Sequence, residues 1–131
     1  MTKIIVTSKH KTEMIDITSE IKEEIIKSGV KDGVCVITAQ HTTASIMLFE
    51  KMDPNLQRDF LSEIKRKIPD DTAYSHAGGN GAAHMKASFI GSTVSLPVAN
   101  ACPMIGEWQG IFFTDFDGPR DRTVVISVVN G

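Results

Sequence analysis

This sequence of 131 residues has few of the features that mark specialised protein classes. Its two cysteines, Cys35 and Cys102, are too few for the disulfide framework of a small secreted domain. It also has no apolar run near the roughly 20 residues that cross a bilayer, and its start lacks the apolar segment of a secretory signal. Both cysteines stand among apolar residues. We therefore expect two buried free thiols in a cytoplasmic protein.

The chain also lacks an excess of charge of one sign. Fourteen basic and sixteen acidic residues give a formal net charge of −2. Because non-specific nucleic-acid binding needs a basic surface, this balance argues against a nucleic-acid partner but allows a local basic pocket for a small anion. The hydrophobic share of 41% fits a folded globular protein. The length is most simply one domain over residues 1–131, large enough to form its own core.

Hydrophobic periodicity predicts a chain with many strands and a few helices. Apolar runs and alternation predict strands at 3–8, 13–17, 34–39, 45–49, 93–99, 108–116 and 122–129. Typical start and stop residues bound three helices: Thr18 or Ser19 to Gly29, Asp53 and Pro54 to Pro69, and Asn80 to Gly91. Some strands follow one another with no helix between them. This order predicts an α+β fold with antiparallel or mixed sheets and two or three helices.

Three of the four histidines lie in short segments of small and polar residues. His41 opens the segment His-Thr-Thr-Ala-Ser, His76 ends Tyr-Ser-His, and His84 ends Asn-Gly-Ala-Ala-His. Three imidazoles and a water form an open catalytic zinc site, so these histidines are candidate metal ligands. The eight-residue spacing of the last two matches no standard zinc motif, and a solvated loop residue remains the alternative for His76. His10, between two lysines, is expected to be exposed.

His41 follows a predicted strand whose alternation places its side chain on the core-facing side. A ligand or base at that place is anchored by a rigid strand and lies near an opening. The alternative is a partly buried histidine bonded to a backbone carbonyl.

The segment from Asp115 to Arg122 concentrates charge around a Gly-Pro turn. Alternation puts Asp115 and Asp117 on one side of the strand, where they repel unless a cation, a proton or an arginine stands between them. Arg120 and Arg122 are near enough in sequence to supply that charge. One interpretation is a site where the carboxylates orient a histidine or metal and an arginine grips phosphate. The other is a tight turn stabilised by its own ion pairs.

Two further residues have open interpretations. Glu50, at the end of the strand after His41, is a candidate general acid or base if it points into the same opening, and otherwise a surface carboxylate. Trp108, the one tryptophan, is expected in core packing or a subunit interface rather than in ligand stacking.

Taken together and in order, these segments resemble the YjbQ family, whose bacterial members carry the label of secondary thiamine-phosphate synthases. The matching pieces cover essentially the whole chain: residues 41–46, Glu50, Asp53, 74–76, 80–84, 91–92, 106–109, 117–120 and Arg122. The sequence departs from the family pattern at Phe49, often asparagine, and at Asp115, often glutamate. The first change removes a hydrogen-bonding side chain beside Glu50, and the second shortens a carboxylate.

The resemblance implies a sandwich-like α+β subunit, a homotrimer and a polar cleft holding a divalent metal, often zinc. By position, the metal ligands would be His41, His76 and His84. Catalytic roles would fall to Glu50, Asp117, Arg120 and Arg122, and substrate-binding roles to Ser45 and Asn80. The implied reaction is weak formation of thiamine phosphate from a pyrimidine pyrophosphate and a thiazole phosphate. We therefore expect a metal-binding, enzyme-like protein for a small phosphorylated substrate; the alternative is a non-catalytic trimeric scaffold with a structural metal.

Overall fold

The structure, a computed structural model, describes all residues from 1 to 131. Its elements in chain order are β1 (Thr2–Thr7), β2 (Glu13–Asp16), α1 (Thr18–Ser28), β3 (Gly33–Ala39), β4 (Ala44–Glu50), α2 (Pro54–Lys67), α3 (Gly81–Ile90), β5 (Thr93–Ala99), β6 (Cys102–Pro103), β7 (Gln109–Asp115) and β8 (Asp121–Asn130). The three helices and the seven predicted strands are all present. Only the two-residue strand β6 was not predicted.

Two antiparallel sheets make up the fold. One has five strands in the order β1-β8-β3-β5-β6, and the other has three in the order β2-β7-β4. Every recorded strand pair is antiparallel. The long β8 pairs with both β1 and β3, so residues from the two ends of the chain meet in one sheet. The predicted α+β class is confirmed, and of the two sheet types considered the structure has the antiparallel one.

The main core lies between the two sheets. It combines alternate residues of β3 and β8, such as Ile37 and Ile126, with Ile46 of β4 and Phe113 of β7. Helix α1 closes one side, because its apolar stripe, which includes Ile21, belongs to the same cluster. Burying large aliphatic and aromatic side chains contributes roughly 1.5–3 kcal/mol each and is the main source of stability.

Helices α2 and α3 cover the other face of the three-stranded sheet. Ala83 and Ala87 of α3 pack with Phe116, and Ile64 of α2 borders this small cluster. Phe49 of β4 stacks at 5.3 Å from Phe60 of α2. The phenylalanine at the first departure from the family pattern therefore serves helix packing.

Two local expectations are corrected. Helix α1 starts at Thr18 with no side-chain cap; instead Asp16 accepts hydrogen bonds from the Thr18 backbone and hydroxyl. Cys35 is buried as expected, but Cys102 is exposed. The reason is that β6 is a short edge strand in which alternation turns Pro103 inward and Cys102 outward. His10 is exposed as predicted.

None of the three helices is long and apolar enough to span a membrane.

Candidate active site

A buried ion pair joins the ends of β7 and β8. Arg122 donates from Nε to Asp115 Oδ2 at 2.9 Å and from Nη2 to Oδ1 at 2.7 Å. Asp115 is fully buried and Arg122 is 2% exposed. Arg122 Nη2 also donates to Thr43 Oγ1, and Ser8 Oγ donates to Asp115 Oδ2. This network fixes the planes of the guanidinium and the carboxylate together.

The hydrogen bonds keep Asp115 ionised. Burial alone would raise the pKa of the Asp115 carboxyl, but hydrogen bonds from Arg122, the Asp117 backbone and Ser8 outweigh it, so its pKa falls below the usual value. The ion pairs of the tight-turn interpretation are present, since Arg122 pairs with Asp115 and Arg120 with Asp117. The interpretation in which this segment orients a metal and grips phosphate stays a prediction. The shorter aspartate at the second departure from the family pattern still reaches its arginine with both oxygens.

Ser8 also anchors the loop between β7 and β8. Its hydroxyl accepts from the Arg120 backbone N–H at 3.1 Å, while its own backbone N–H donates to the Arg120 carbonyl. An added Cβ at Gly118 would lie 2.5 Å from Ser8 Oγ and would also strike the His10 carbonyl oxygen. Sequence reasoning missed Ser8 because a serine after a strand carries no signal of its distant partners.

His41 lies just beyond β3, and its ring contacts β8. Its Nε2 accepts a hydrogen bond from the Thr123 backbone N–H at 2.7 Å. The predicted backbone partner of this ring is thus an amide N–H rather than a carbonyl. Since Nε2 is the acceptor, the neutral ring carries its proton on Nδ1. Burial lowers the pKa of His41 and the positive charges of Arg122 and Arg120 lower it further, against the opposing effect of Asp115.

Asn80 and His84 come from the start of α3. Asn80 occupies the N-cap position as predicted, but its side chain makes no capping bond; Nδ2 instead donates to Asp117 Oδ2 at 2.8 Å. The same carboxylate oxygen accepts from Arg120 Nη2 at 3.2 Å. Asn80 Oδ1 is buried and has no hydrogen-bond partner. Asp117 therefore joins helix α3 to the loop that carries Arg120.

The glycine-rich loop before α3 folds His76 back onto His84. The two ring centroids are 4.8 Å apart, with the ring planes at 73°. A Cβ at Gly81 would lie 2.7 Å from the Tyr74 ring, so the ring can pack there only against glycine. A Cβ at Gly78 would lie 2.8 Å from His76 Nε2 and 3.0 Å from Asn80 Oδ1, so both atoms border the space beside Gly78. His76 is exposed, yet it is not an isolated loop residue.

These side chains surround a cavity of about 450 Å³, the central cavity. It is lined by Gln40, His41, Thr42, Thr43, Asn80, His84, Arg120 and Arg122. His41 and His84 also border an adjoining cavity of about 340 Å³. His84 and His76 border a third, of about 390 Å³. His84 thus lies between the His41 side and the His76 side of the site.

Four predicted site residues do not line the central cavity. His76 borders the third cavity, and Asp117 is linked to the lining only through its hydrogen bonds with Asn80 and Arg120. The other two, Glu50 and Ser45, lie elsewhere. Glu50 is at the opposite end of β4 from Ala44, about 20 Å away at ~3.3 Å per residue. Its carboxylate accepts hydrogen bonds from the backbone N–H groups of Met52 and Asp53. Ser45 is fully buried beneath α3, and its hydroxyl has no partner. Trp108, expected in a core or an interface, is 61% exposed in the single chain.

The fit of the implied metal is partial. The rings of His76 and His84 are neighbours, with centroids 4.8 Å apart, and the unpartnered Asn80 Oδ1 borders the same space beside Gly78 as His76 Nε2. The lone pair of His41 Nε2, however, is used by Thr123. No group of three or more His, Cys, Asp or Glu side chains is arranged to hold an ion. His41 would have to turn its ring to join the other two.

The fold and site define an α+β two-sheet domain with a histidine- and arginine-lined cavity. The chain belongs to the YjbQ-like UPF0047 family, whose model matches residues 2–131. It is 40% identical to the UPF0047 protein YugU of Bacillus subtilis over 118 residues, which is 89% of each chain. It is 37% identical to a UPF0047 protein of Methanocaldococcus jannaschii over 127 residues, covering 97% of this chain and 92% of that protein.

Solved structures share the fold. An uncharacterised YjbQ/UPF0047 protein of Clostridium acetobutylicum matches with a TM-score of 0.96 at 39% identity, over 98% of this chain and 100% of that one. A YbjQ-like protein of unknown function from Sulfolobus solfataricus matches with a TM-score of 0.95 at 31% identity, over 99% and 96%. The fold is thus shared within the family, and these two proteins are described as uncharacterised and as of unknown function.

Proposed function

We propose that the central cavity binds the phosphate or pyrophosphate group of a small molecule. The observation that carries this proposal is the convergence of Arg120, Arg122, Asn80 and two histidines, from three separate chain segments, on one cavity. Arg122 is held rigidly through Nε and Nη2, so Nη1 takes no part in those bonds. Arg120 is half exposed and held by Asp117. Guanidinium groups bind phosphate oxygens through charge-assisted hydrogen bonds, which suits this arrangement.

Arg120 allows a direct test of this proposal. Arg120→Ala should weaken pyrophosphate binding at least tenfold in isothermal titration calorimetry, because a charge-assisted hydrogen bond contributes about 1.5–3 kcal/mol. Arg66→Ala is the matched control, since Arg66 is an exposed arginine paired with Glu63 on α2. Unchanged pyrophosphate affinity in Arg120→Ala would contradict the proposal.

We propose further that His76 and His84 hold a divalent metal, zinc above all, and that His41 completes the set after turning away from Thr123. Neutral imidazole is a common zinc ligand, and a bound divalent ion neutralises the charge of a pyrophosphate group. Elemental analysis of the purified protein should find one metal per chain in the wild type and much less in His41→Ala, His76→Ala and His84→Ala. Full metal content in all three variants would end this proposal.

The family resemblance suggests thiamine-phosphate formation as a weak activity of the same cavity. In that reaction a thiazole nitrogen forms a bond to the pyrimidine methylene carbon, and the carbon–oxygen bond to pyrophosphate breaks, so the electron pair leaves with pyrophosphate. Arg120 and Arg122 would stabilise the leaving group, and Asp117 would keep Arg120 and Asn80 in position. Within one chain, Glu50 is too far from the cavity to take part.

A second candidate function, a non-catalytic trimeric scaffold with a structural metal, is favoured by one observation. The outer face of the five-stranded sheet has no covering layer, and it leaves Ile5, Val34 and Val129 exposed at 62%, 44% and 56%. Assembly into the proposed homotrimer is one way to cover such a face. Metal removal separates the two functions. A stripped trimer that persists but loses pyrophosphate binding indicates a functional site, whereas dissociation indicates a structural one.

A further inference from the structure

Helix α3 buries a lysine on the side away from its histidine. Lys86 is 1% exposed, although lysine is among the side chains least often buried. It follows His84 by two residues, which is a rotation of about 200° around an α-helix. The two side chains therefore leave the helix in different directions. Lys86 takes no part in the central cavity, so its burial needs another explanation.

Lys86 is paired with one carboxylate only. Its Nζ lies 2.5 Å from Asp70 Oδ1, in the loop after α2. Counting side-chain atoms alone, Lys86 is 2% exposed and Asp70 is 32% exposed. Removing an ammonium group from water costs several kcal/mol unless it is well paired. A buried ammonium held at one fixed place by an aspartate is thus a prepositioned positive charge.

Lys86 and Asp70 border a cavity of about 300 Å³, the lysine cavity. Four segments meet there: the turn between β1 and β2, helix α2, the loop after α2, and helix α3. The polar side chains lining the lysine cavity are Lys11, Thr12, Ser62, Lys65, Asp70 and Lys86. None of these residues lines the central cavity.

The charges of the lysine cavity do not balance. Three lysines and one aspartate leave two positive charges in excess. Partial burial would raise the pKa of Asp70, but the Lys86 hydrogen bond and the charges of Lys86, Lys11 and Lys65 outweigh it, so the pKa of Asp70 lies below its usual value. The charges of Lys11 and Lys65 thus reach the same carboxylate that is paired with Lys86. Positive charges held close together in this way favour the binding of an anion.

We propose that the lysine cavity binds a phosphate group, free or carried on a small molecule, at a site separate from the central cavity. Lys86 supplies a fixed cation, the exposed Lys11 and Lys65 supply mobile ones, and the hydroxyls of Thr12 and Ser62 supply neutral donors. The excess of two positive charges matches a phosphate dianion. The volume leaves room for part of an ester, since a water molecule takes only about 30 Å³.

The test is a titration of the full-length protein followed by ¹H–¹⁵N correlation spectra, at ionic strength held constant with chloride. The first probe is inorganic phosphate. We expect saturable shifts of the Thr12 and Ser62 amides, together with a response at the central cavity. In Lys11→Ala/Lys65→Ala, the phosphate affinity reported by the Thr12 and Ser62 amides should fall at least tenfold. The affinity reported at the central cavity should not change. These two lysines are exposed, so the variant should keep its fold, whereas changing Lys86 would leave Asp70 unpaired.

The matched control is Lys22→Ala/Lys31→Ala, which removes the same charge from exposed positions on and after α1. Shifts that do not saturate, or equal weakening by both double variants, overturn the proposal because they indicate only general charge attraction. The Arg120→Ala variant keeps this test independent of the proposed function: it should lose the central response and keep the one at Thr12 and Ser62. Glycerol 3-phosphate is the second probe. Tighter binding of this ester assigns an esterified phosphate, and tighter binding of inorganic phosphate assigns the free ion.

Discussion

At the scale of single residues, the fully buried Asp115 determines how Arg122 faces the central cavity. Asp115→Asn would keep the shape but leave the Arg122 guanidinium buried without its counter-charge. Breaking one side of a buried pair costs about 3–5 kcal/mol, so we expect a loss of that size in urea unfolding at pH 7. Asp115→Leu/Arg122→Met is the control, since it removes both charges and should recover most of the loss. Equal stability of the wild type and Asp115→Asn would refute the role given to this pair.

The same carboxylate predicts a pH dependence. Because its pKa is lowered in the folded protein, Asp115 contributes stability that is fully present above its unfolded pKa of about 3.9 and is lost as the pH falls through the lower, folded value. The wild type should therefore lose stability more steeply than Asp115→Leu/Arg122→Met as the pH falls below about 4. Urea midpoints at a series of acidic pH values measure this difference.

At the scale of elements, α2 is the helix that is least buried against the rest of the protein. It has no fully buried residue and packs through a half-buried stripe that includes Phe60 and Ile64. Its start therefore depends on Asp53, whose carboxylate accepts the Asn55 backbone N–H at 2.9 Å. Asp53→Ala should cost about 1 kcal/mol of unfolding free energy and speed hydrogen exchange in the first turns of α2. Asp59→Ala, which removes the same charge from an exposed mid-helix position, should leave both nearly unchanged.

If the two substitutions prove equally harmful, net charge rather than the cap stabilises α2.

Helix α3 is more firmly anchored than α2, since Ala82, Ala83 and Ala87 are buried. Its small side chains bring the helix close to β4, which places Asn80 and His84 firmly over the sheet. The site is thus built mainly on rigid elements, and the loop of residues 70–79 adds His76.

At the scale of the whole molecule, the uncovered face of the five-stranded sheet predicts self-association. Val36 lies in the middle of that face, opposite Ser127 of β8 and Ser95 of β5. Val36→Lys should convert the proposed trimer to a folded monomer in sedimentation velocity, because a lysine ammonium would be trapped between subunits. Ser19→Lys on α1 adds the same charge to an exposed position and should leave the trimer intact. A wild type that sediments as a monomer would show the trimer to be wrong.

The distance of Glu50 and Trp108 from the central cavity belongs to this scale as well. Both lie around the far end of β4, where the Lys51 backbone N–H donates to the Trp108 carbonyl. Both residues match positions of the family pattern. Within a single chain, however, Glu50 is separated from the histidines by the length of β4. Alternation and local caps could not reveal this separation, because they describe one element at a time.

Sequence periodicity alone determined the seven main strands, the three helices, the Asp53 cap and the end of α1 at Gly29, since these depend on interactions within a few residues. The sequence also showed that Asp115 and Asp117 need a cation, a proton or an arginine between them, and that Arg120 and Arg122 are near enough to supply that charge. Only the tertiary structure decided which atoms meet: Ser8 with Asp115, His41 with the Thr123 amide, and Lys86 with Asp70. The physical reason is that such contacts depend on the register of strands far apart in sequence and on the angle at which helices cross them. Neither is encoded in the spacing of residues along one segment.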